Sequence, residues 1–414
     1  MCKSNRYSRI SVLAYVPLWF EYLYEKGGGG WLRFKKIHEL APKANINYHL
    51  VKFKLELQRP LILGVPLMSA SIIKGLFQSV NTIKQKNIQL ILSPVEIPQA
   101  IILAYLSSKI TRRRFVVFLN TVPCYGLIGS FQFERKTNKT SYSVLFKAMR
   151  HAGQSRARAA LEASVWYITF RMLRSSETRI LCLSPTIASE LSELNIKGHI
   201  IPIYPGNGVD YNGTPLVTLK ANENRCDAIY AAGNLHPQKG IFEVIKIWAD
   251  VVKKRPGVKL AIAGRVHHQY PSVIEALNHL IHSVRLGENV IMANDLLEGM
   301  TQRELLNEMK RSKIFLYPSR KDVWPLVIGE ALACGLPVIA YDLPGIKYAY
   351  GDCPAVYLQN VGDVEGAAKT AIKLLSNESL LKNLSHKARR YAENHSWTHV
   401  VELERKAYLT ILES

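Results

Sequence analysis

The chain has 414 residues, 48% of them hydrophobic, and a formal net charge of +22; that length exceeds what one hydrophobic core usually supports, so two domains are expected. Its six cysteines (Cys2, Cys124, Cys182, Cys226, Cys334, Cys353) lie far apart, with no CxxC and no His cluster at ligand spacing, which argues against a structural zinc or a disulfide framework and fits a reducing compartment. No apolar run approaches the ~20 residues that cross a bilayer, so a cytoplasmic chain is expected, with any membrane contact peripheral on the inner face.

Residues 1–215 hold 29 Lys+Arg against 11 Asp+Glu, whereas residues 216–414 hold 25 against 21. A basic field in one half suggests an anionic partner: a phosphorylated substrate, an anionic membrane surface or nucleic acid. A solvated basic surface that aids solubility explains it equally. Lys3, Arg6 and Arg9 ahead of ISVLAYVPLWF imitate a secretory signal, but no small-residue cleavage site follows, and residues 10–20 read as a first buried strand interrupted at Pro17. Further strands are expected at INYHLVKF, IQLILS, RRFVVFLN and TRILCLS, separated by helical stretches such as 31–40 and 97–108. This pattern makes a doubly wound domain.

Between the first strand and Trp31 stands a tetraglycine, residues 27–30, which either lets the backbone approach a ligand closely or forms a loose surface turn. Residues 141–174 mix Arg and Lys with Leu, Trp, Tyr and Phe, which suits an interfacial helix on an anionic bilayer or a core helix with one basic face. The segment IIPIYPGNGVD, residues 200–210, combines Pro205, Gly206, Asn207 and Gly208 and reads as a link between domains.

The second half alternates more cleanly. CDAIYAAG is a strand ending in small residues, IFEVIKIWADVVKKRP a helix closed at Pro256, and VKLAIAG a strand; then follow a helix near 271–283, a strand at NVIMA, a helix near 301–312 and a strand at KIFLYP. In PSRKDVWPLVIGEALACGLPVIA, residues 318–340, Pro325 suits a first helical position, Gly335 a position just past the end, and Pro337 a stop. A helix over 325–334 therefore joins two strands, with LPVIAY as the second. A final helix is expected near 398–412. Strands alternating with helices predict a mostly parallel sheet covered on both faces.

In such sheets ligands gather beyond the carboxyl ends of the strands. Asp322 falls on the loop there, and Glu330 lies over a turn into the helix. Carboxylates accept hydrogen bonds from vicinal diols, so a ribose or hexose would satisfy Glu330; a structural pairing with Lys, Arg or backbone amides would satisfy it too. In GNLHPQKG, residues 233–240, Lys239 opens a helix where amides and dipole already favour an anion. Neither GxxxxGK[ST] nor GxGxxG occurs. A cation on one loop and two acids on another suit a nucleoside-diphosphate sugar, whose phosphates need positive charge and whose rings need acceptors.

The order GNLHPQKG, LAIAGR, FLYPSRKDVWPLVIGEALACGLPVIA and DLPG resembles the carboxyl-terminal domain of retaining glycosyltransferases of the GT-B fold, of the family-four, glycosyl transferases group 1 type. The similarity runs over about 226–398, and NGVD at 207–210 looks like that group's interdomain segment. The resemblance implies an α/β architecture of two doubly wound, Rossmann-like domains facing across a cleft: residues 1–206 on the acceptor side, 207–396 on the donor side, and 397–414 as a helix packing back on the first domain. It implies transfer of a sugar from a nucleotide-sugar donor to a glycan or lipid-linked acceptor with retention of configuration. Lys239 would steady the diphosphate, Asp322 would stand near the sugar hydroxyls, and Glu330 would bind the ribose. Gly233, Asn234, Arg265, Pro344, Gly345 and Ile346 complete the donor side; Gly28, Gly29, Gly30 and Asn120 belong to the sugar or acceptor side. No metal and no resident cofactor are implied, because Lys239 and helix amino termini meet the departing charge.

Three positions depart from the pattern. Asp322 replaces the usual Glu, Asn234 replaces an Arg beside the glycine of the phosphate loop, and Asn120 and Thr121 stand where many members carry a His. Arg265 or Arg320 would have to supply the missing cation, Arg265 being better placed. A non-catalytic sugar-nucleotide binder or partner subunit is therefore the alternative. An inverting transferase would need a first-domain base that is not evident, and no recognisable motif supports a nucleic-acid partner.

Overall fold

The computed structural model describes residues 8–18, 30–53, 61–123, 141–151, 153–196, 199–209, 226–266 and 272–414. Contacts divide the chain into two compact units, Met1–Gly206 with Val400–Ser414, and Asn207–His399.

The first unit is built on six parallel strands, β1 (Ile10–Pro17), β2 (Ile46–Phe53), β3 (Leu90–Ser93), β4 (Arg114–Leu119), β5 (Thr178–Cys182) and β6 (His199–Pro202), in the order β2-β1-β3-β4-β5-β6. Seven of the eight residues of β1 are buried, as a central parallel strand covered on both faces requires. Pro17 ends this strand instead of interrupting it: it pairs with Phe53, and Leu18 N carries the ladder on to Phe53 O at 2.8 Å. Helices α1 (Gly30–Leu40), α2 (Leu61–Lys86), α3 (Pro98–Thr111), α4 (Tyr142–His151), α5 (Arg156–Leu173) and α6 (Pro185–Glu193) connect the strands.

One expectation changes here. The start of the segment read as a link is the edge strand β6, where Ile200 and Ile201 pair with β5 and an edge position tolerates Pro202. The stretch 141–174 is two helices whose apolar residues are largely used by the core: Leu145, Ala148 and Met149 on α4, and Ala163, Val165, Phe170 and Leu173 on α5 are buried. Tyr142 and Ile168 remain exposed. Among the described residues no helix is long and apolar enough to cross a membrane.

The second unit repeats the architecture with β7 (Cys226–Leu235), β8 (Leu260–Val266), β9 (Val290–Met292), β10 (Ser312–Tyr317), β11 (Val338–Tyr341) and β12 (Val356–Gln359), ordered β12-β11-β10-β7-β8-β9 and parallel throughout. Its helices are α7 (Ile241–Lys254), α8 (Val273–Ser283), α9 (Gln302–Lys310), α10 (Leu326–Ala333), α11 (Pro344–Tyr350), α12 (Val364–Leu375) and α13 (Glu378–Asn394). On α7, Ile241, Val244, Ile245, Trp248 and Val251 recur at helical spacing and are buried. Pro325 is the N-cap of α10, one position earlier than its expected place, and Gly335 follows the C-cap at φ +78°. The last helix, α14 (Trp397–Glu413), leaves the second unit at His399 and continues in the first from Val400.

The strand order places the reversal of winding between β7 and β10. From β7 the chain winds outward through β8 and β9, then crosses back to β10 on the other side. The loops after β7 and β10 therefore both start at this reversal, the position at which open α/β sheets hold ligands.

Candidate functional site

Strand β7 carries a register shift between Ala232 and Leu235, so Gly233 and Asn234 bulge out of the ladder and are exposed. Arg265, also exposed, is the β8 residue opposite this bulge, between the partners of Ala232 and Leu235. An arginine thus occupies the strand position opposite the place where the expected one is missing, its side chain running past Gly299, whose added Cβ would lie 3.2 Å from Arg265 Cβ.

After β7 the chain makes a 3-10 turn, Pro237–Lys239, capped by His236 Nδ1 accepting from Gln238 N at 3.0 Å. Gly240 closes the turn at φ +85°, a conformation that strains residues with a Cβ. A Cβ there would fall 2.1 Å from the carbonyl oxygen of Pro318, so the turn after β7 lies directly against the loop after β10. Two further bonds fasten them: Arg320 N donates to Gln238 O at 2.8 Å, and Ser319 Oγ to the same oxygen at 3.3 Å.

This junction brings Lys239 and Asp322 together. Lys239 Nζ lies 2.5 Å from Asp322 Oδ2 and donates also to Lys321 O at 3.2 Å. Asp322 Oδ2 accepts from Tyr317 OH at 2.7 Å and Oδ1 from Val323 N at 2.9 Å. Their side chains are 32% and 13% exposed, so the cation is reachable and the carboxylate largely enclosed. The loop Pro344–Ile346 adjoins the same place: a Cβ on Gly345 would sit 2.2 Å from Val323 O. Pro344 is exposed there and Ile346 buried.

Glu330 is half-buried on α10 and accepts from Gln302 Nε2 at 3.0 Å, at the start of α9. The carboxylate in an apolar helix is thus partly answered by a side-chain amide. Arg320 does not turn toward the phosphate loop; its Nε pairs with Glu243 Oε1 at 2.6 Å. Arg265 lies opposite the Asn234 bulge by strand register.

Asn120 lies in the first unit, buried after β4, where its N and Nδ2 donate to Glu96 Oε2 at 3.2 and 3.3 Å while Thr121 Oγ1 donates to Oε1 at 2.9 Å. Burial raises the Glu96 carboxyl above its ordinary value despite these bonds. Gly30 opens α1; Gly28 and Gly29 lie outside the described residues. Among the described residues no group of three or more His, Cys, Asp or Glu is placed to hold a metal ion. Sequence reasoning passed over Tyr317, Gln302 and Glu96. Tyr317 ends an apolar strand like any core aromatic, whereas Glu96, a lone acid just after β3, was a visible signal.

Residues 220–394 match the model of the family described as glycosyl transferases group 1. That stretch belongs to the glycosyl transferases group 1 family. Similarity to individual members is lower and partial: 28% identity over 178 residues with a trehalose synthase of Pyrococcus horikoshii, and 24% over 264 residues with a glycogen synthase of Mycobacterium tuberculosis. These alignments cover 43% and 64% of this chain, and the chain spans only 41% and 61% of those two relatives. Solved structures agree over nearly the whole length. Sucrose-phosphate synthase from Thermosynechococcus elongatus superposes with a TM-score of 0.67 at 15% identity, covering 98% of this chain and all of that one. Anabaena HepE in complex with UDP-glucose gives 0.64 at 14%, covering 97% and 100%. At such identities the agreement establishes the fold, which is GT-B: two parallel six-stranded sheets flanked by helices.

Proposed function

We propose that this chain moves a sugar from a nucleoside-diphosphate sugar to an acceptor hydroxyl, with retention of anomeric configuration. The observation that carries the reading is the Lys239–Asp322 contact at the β7/β10 reversal of the second sheet. The family match covers this unit, and a structure of the same fold has been solved with UDP-glucose. In the reaction the bond from the anomeric carbon to the diphosphate oxygen breaks and its electron pair leaves with the nucleoside diphosphate. The acceptor oxygen bonds to that carbon on the same face, and its proton passes to the departing phosphate. Lys239 offers an ammonium to the developing negative charge, with Arg265 beside the Asn234 bulge. Asp322 and Glu330 offer acceptors to sugar and ribose hydroxyls. The basic first half favours a lipid-linked or glycan acceptor on an anionic surface.

Thermal-shift measurements against a panel of nucleotide sugars test this. At least one donor should raise the unfolding temperature, and Lys239→Ala and Glu330→Ala should each abolish the shift. Shifts that persist in both variants would overturn the site. Asn234 in place of an arginine favours a second reading, a sugar-nucleotide binder without turnover. It would show the same stabilisation with no release of nucleoside diphosphate.

A further inference from the structure

Tyr230 and Tyr317 are 0% and 2% exposed on the neighbouring strands β7 and β10, with rings stacked at 6.5 Å and 20°. Phenylalanine would fill either space, so the hydroxyls need a reason of their own. Each hydroxyl ends on one member of the ion pair above it. Tyr230 OH donates to the carbonyl of Lys239 at 3.1 Å, and Tyr317 OH donates to Asp322 Oδ2 at 2.7 Å. A buried phenol must place its proton on an acceptor, since leaving it unpaired is costly. Burial, with the charge of Asp322, pushes the Tyr317 phenol well above its ordinary range, which keeps it a donor.

Counting acceptor positions gives the consequence. A carboxylate has about four. Oδ2 of Asp322 takes Lys239 Nζ at 2.5 Å and Tyr317 OH at 2.7 Å, and Oδ1 takes Val323 N at 2.9 Å. A vicinal diol needs two open positions. One is left.

We infer that Tyr317 is a positioning residue for Asp322, and that the carboxylate it holds presents a single acceptor position, on Oδ1, to one hydroxyl of the donor's sugar. This inference rests on the donor-site reading above. Tyr317 itself does not meet the ligand. Its hydroxyl fills the second position of Oδ2 and stops the carboxylate turning about Cβ–Cγ, so Oδ1 stays aimed. Without that hydroxyl the carboxylate turns to recover a partner and Oδ1 leaves its line. The nucleotide keeps its contacts, but the sugar's share of binding is lost.

Calorimetric titration of the full chain with UDP, GDP and ADP, each against UDP-glucose, GDP-mannose and ADP-glucose respectively, tests this. For the matching pair, the sugar nucleotide should bind about tenfold more tightly than its nucleoside diphosphate, the scale of one hydrogen bond to a charged acceptor. In Tyr317→Phe that ratio should fall to near one while the diphosphate's own Kd moves less than about threefold. In an Asp322→Asn background, adding Tyr317→Phe should leave the ratio where it stands, because both changes act through one carboxylate. A ratio unchanged in Tyr317→Phe, with only a lowered melting temperature, would make the phenol structural and overturn the inference. So would a Tyr317→Phe chain that fails to fold, or a wild type that gains nothing from the sugar. A wild type that binds none of the six ligands would instead overturn the donor-site reading on which the inference stands.

Discussion

Arg33 and Glu404, 371 residues apart in sequence, form an ion pair of 2.8 Å with side chains only 3% and 1% exposed. Both partners are fully engaged within the first unit. Arg33 Nε donates to Gly206 O at 2.9 Å and its guanidinium lies 3.5 Å over the Phe118 ring, while Glu404 Oε1 accepts from Tyr48 OH at 3.0 Å and Tyr408 OH at 2.6 Å. This network fastens the carboxyl-terminal helix to α1 and β2. Removing one partner strands a buried charge, so Glu404→Ala should destabilise the first unit by about 3–5 kcal/mol, on the order of 10 °C in its calorimetric transition. Replacing both, as Arg33→Met with Glu404→Leu, should recover most of that loss. A double variant as unstable as the single one would show that the pair contributes net stability.

Asp322 both completes the proposed sugar site and occupies the lysine that a diphosphate would need. The 2.5 Å contact between them neutralises Lys239 before any ligand arrives. Asp322→Asn should therefore tighten binding of a bare nucleoside diphosphate by roughly three- to tenfold, since a neutral amide neither repels phosphate nor holds the ammonium as strongly. Equilibrium titration with UDP at two salt concentrations checks it. The gain should shrink as salt rises; a weaker Kd in the variant would mean that Asp322 holds Lys239 in place for the phosphate.

How much of this was legible beforehand differs by unit. In the second, near-continuous apolar strands alternate with a helix as regular as α7, so element types and the loops bearing Lys239 and Asp322 could be read directly. The adjacency of β7 and β10 could not, because strand order is a property of the sheet and not of any local pattern. Tyr317 carries the same local signature as Phe315 two residues earlier, and only the third dimension shows its hydroxyl meeting Asp322. In the first unit, Gly64 and Pro66 break the helical pattern over the 26 residues of α2, and Pro202 and Pro205 made β6 resemble a link. Composition left 141–174 open because buried helices with one basic face and interfacial helices share it.

Gly240 and Gly233 are seven residues apart, and alanine at the two should differ in its effect on stability. At Gly240 the added Cβ meets both a φ of +85° and the Pro318 carbonyl at 2.1 Å, with backbone on both sides that cannot step aside. Gly240→Ala should separate the two loops, costing about 2 kcal/mol or more and abolishing nucleotide binding. At Gly233 nothing lies within 4 Å. Gly233→Ala should leave the melting temperature within a degree or so of wild type, about 0.5 kcal/mol at most. Because its new methyl would point into open space beside the bulge, donor affinity should nevertheless fall. Unchanged affinity would place the phosphates elsewhere.

Glu96 offers a test by pH. Burial raises its carboxyl above the ordinary 4.5, and the opposing bonds from Thr121 and Asn120 do not offset it. Above the folded value the fold bears the full penalty of an enclosed negative charge. As pH falls through that value toward 4.5, the folded chain takes up the proton before the unfolded one does, and this group's contribution to stability rises. Glutamine carries no such charge, retains an acceptor oxygen, and adds an N–H donor beside Asn120, whose Oδ1 has no hydrogen-bond partner. Glu96→Gln should therefore raise the denaturation midpoint at pH 7–8. The advantage should shrink steadily on acidification through the folded value toward 4.5. Denaturant titrations of both chains across this interval would decide it. An advantage that stayed constant or grew in acid would mean that another group, and not the enclosed carboxylate, governs the difference.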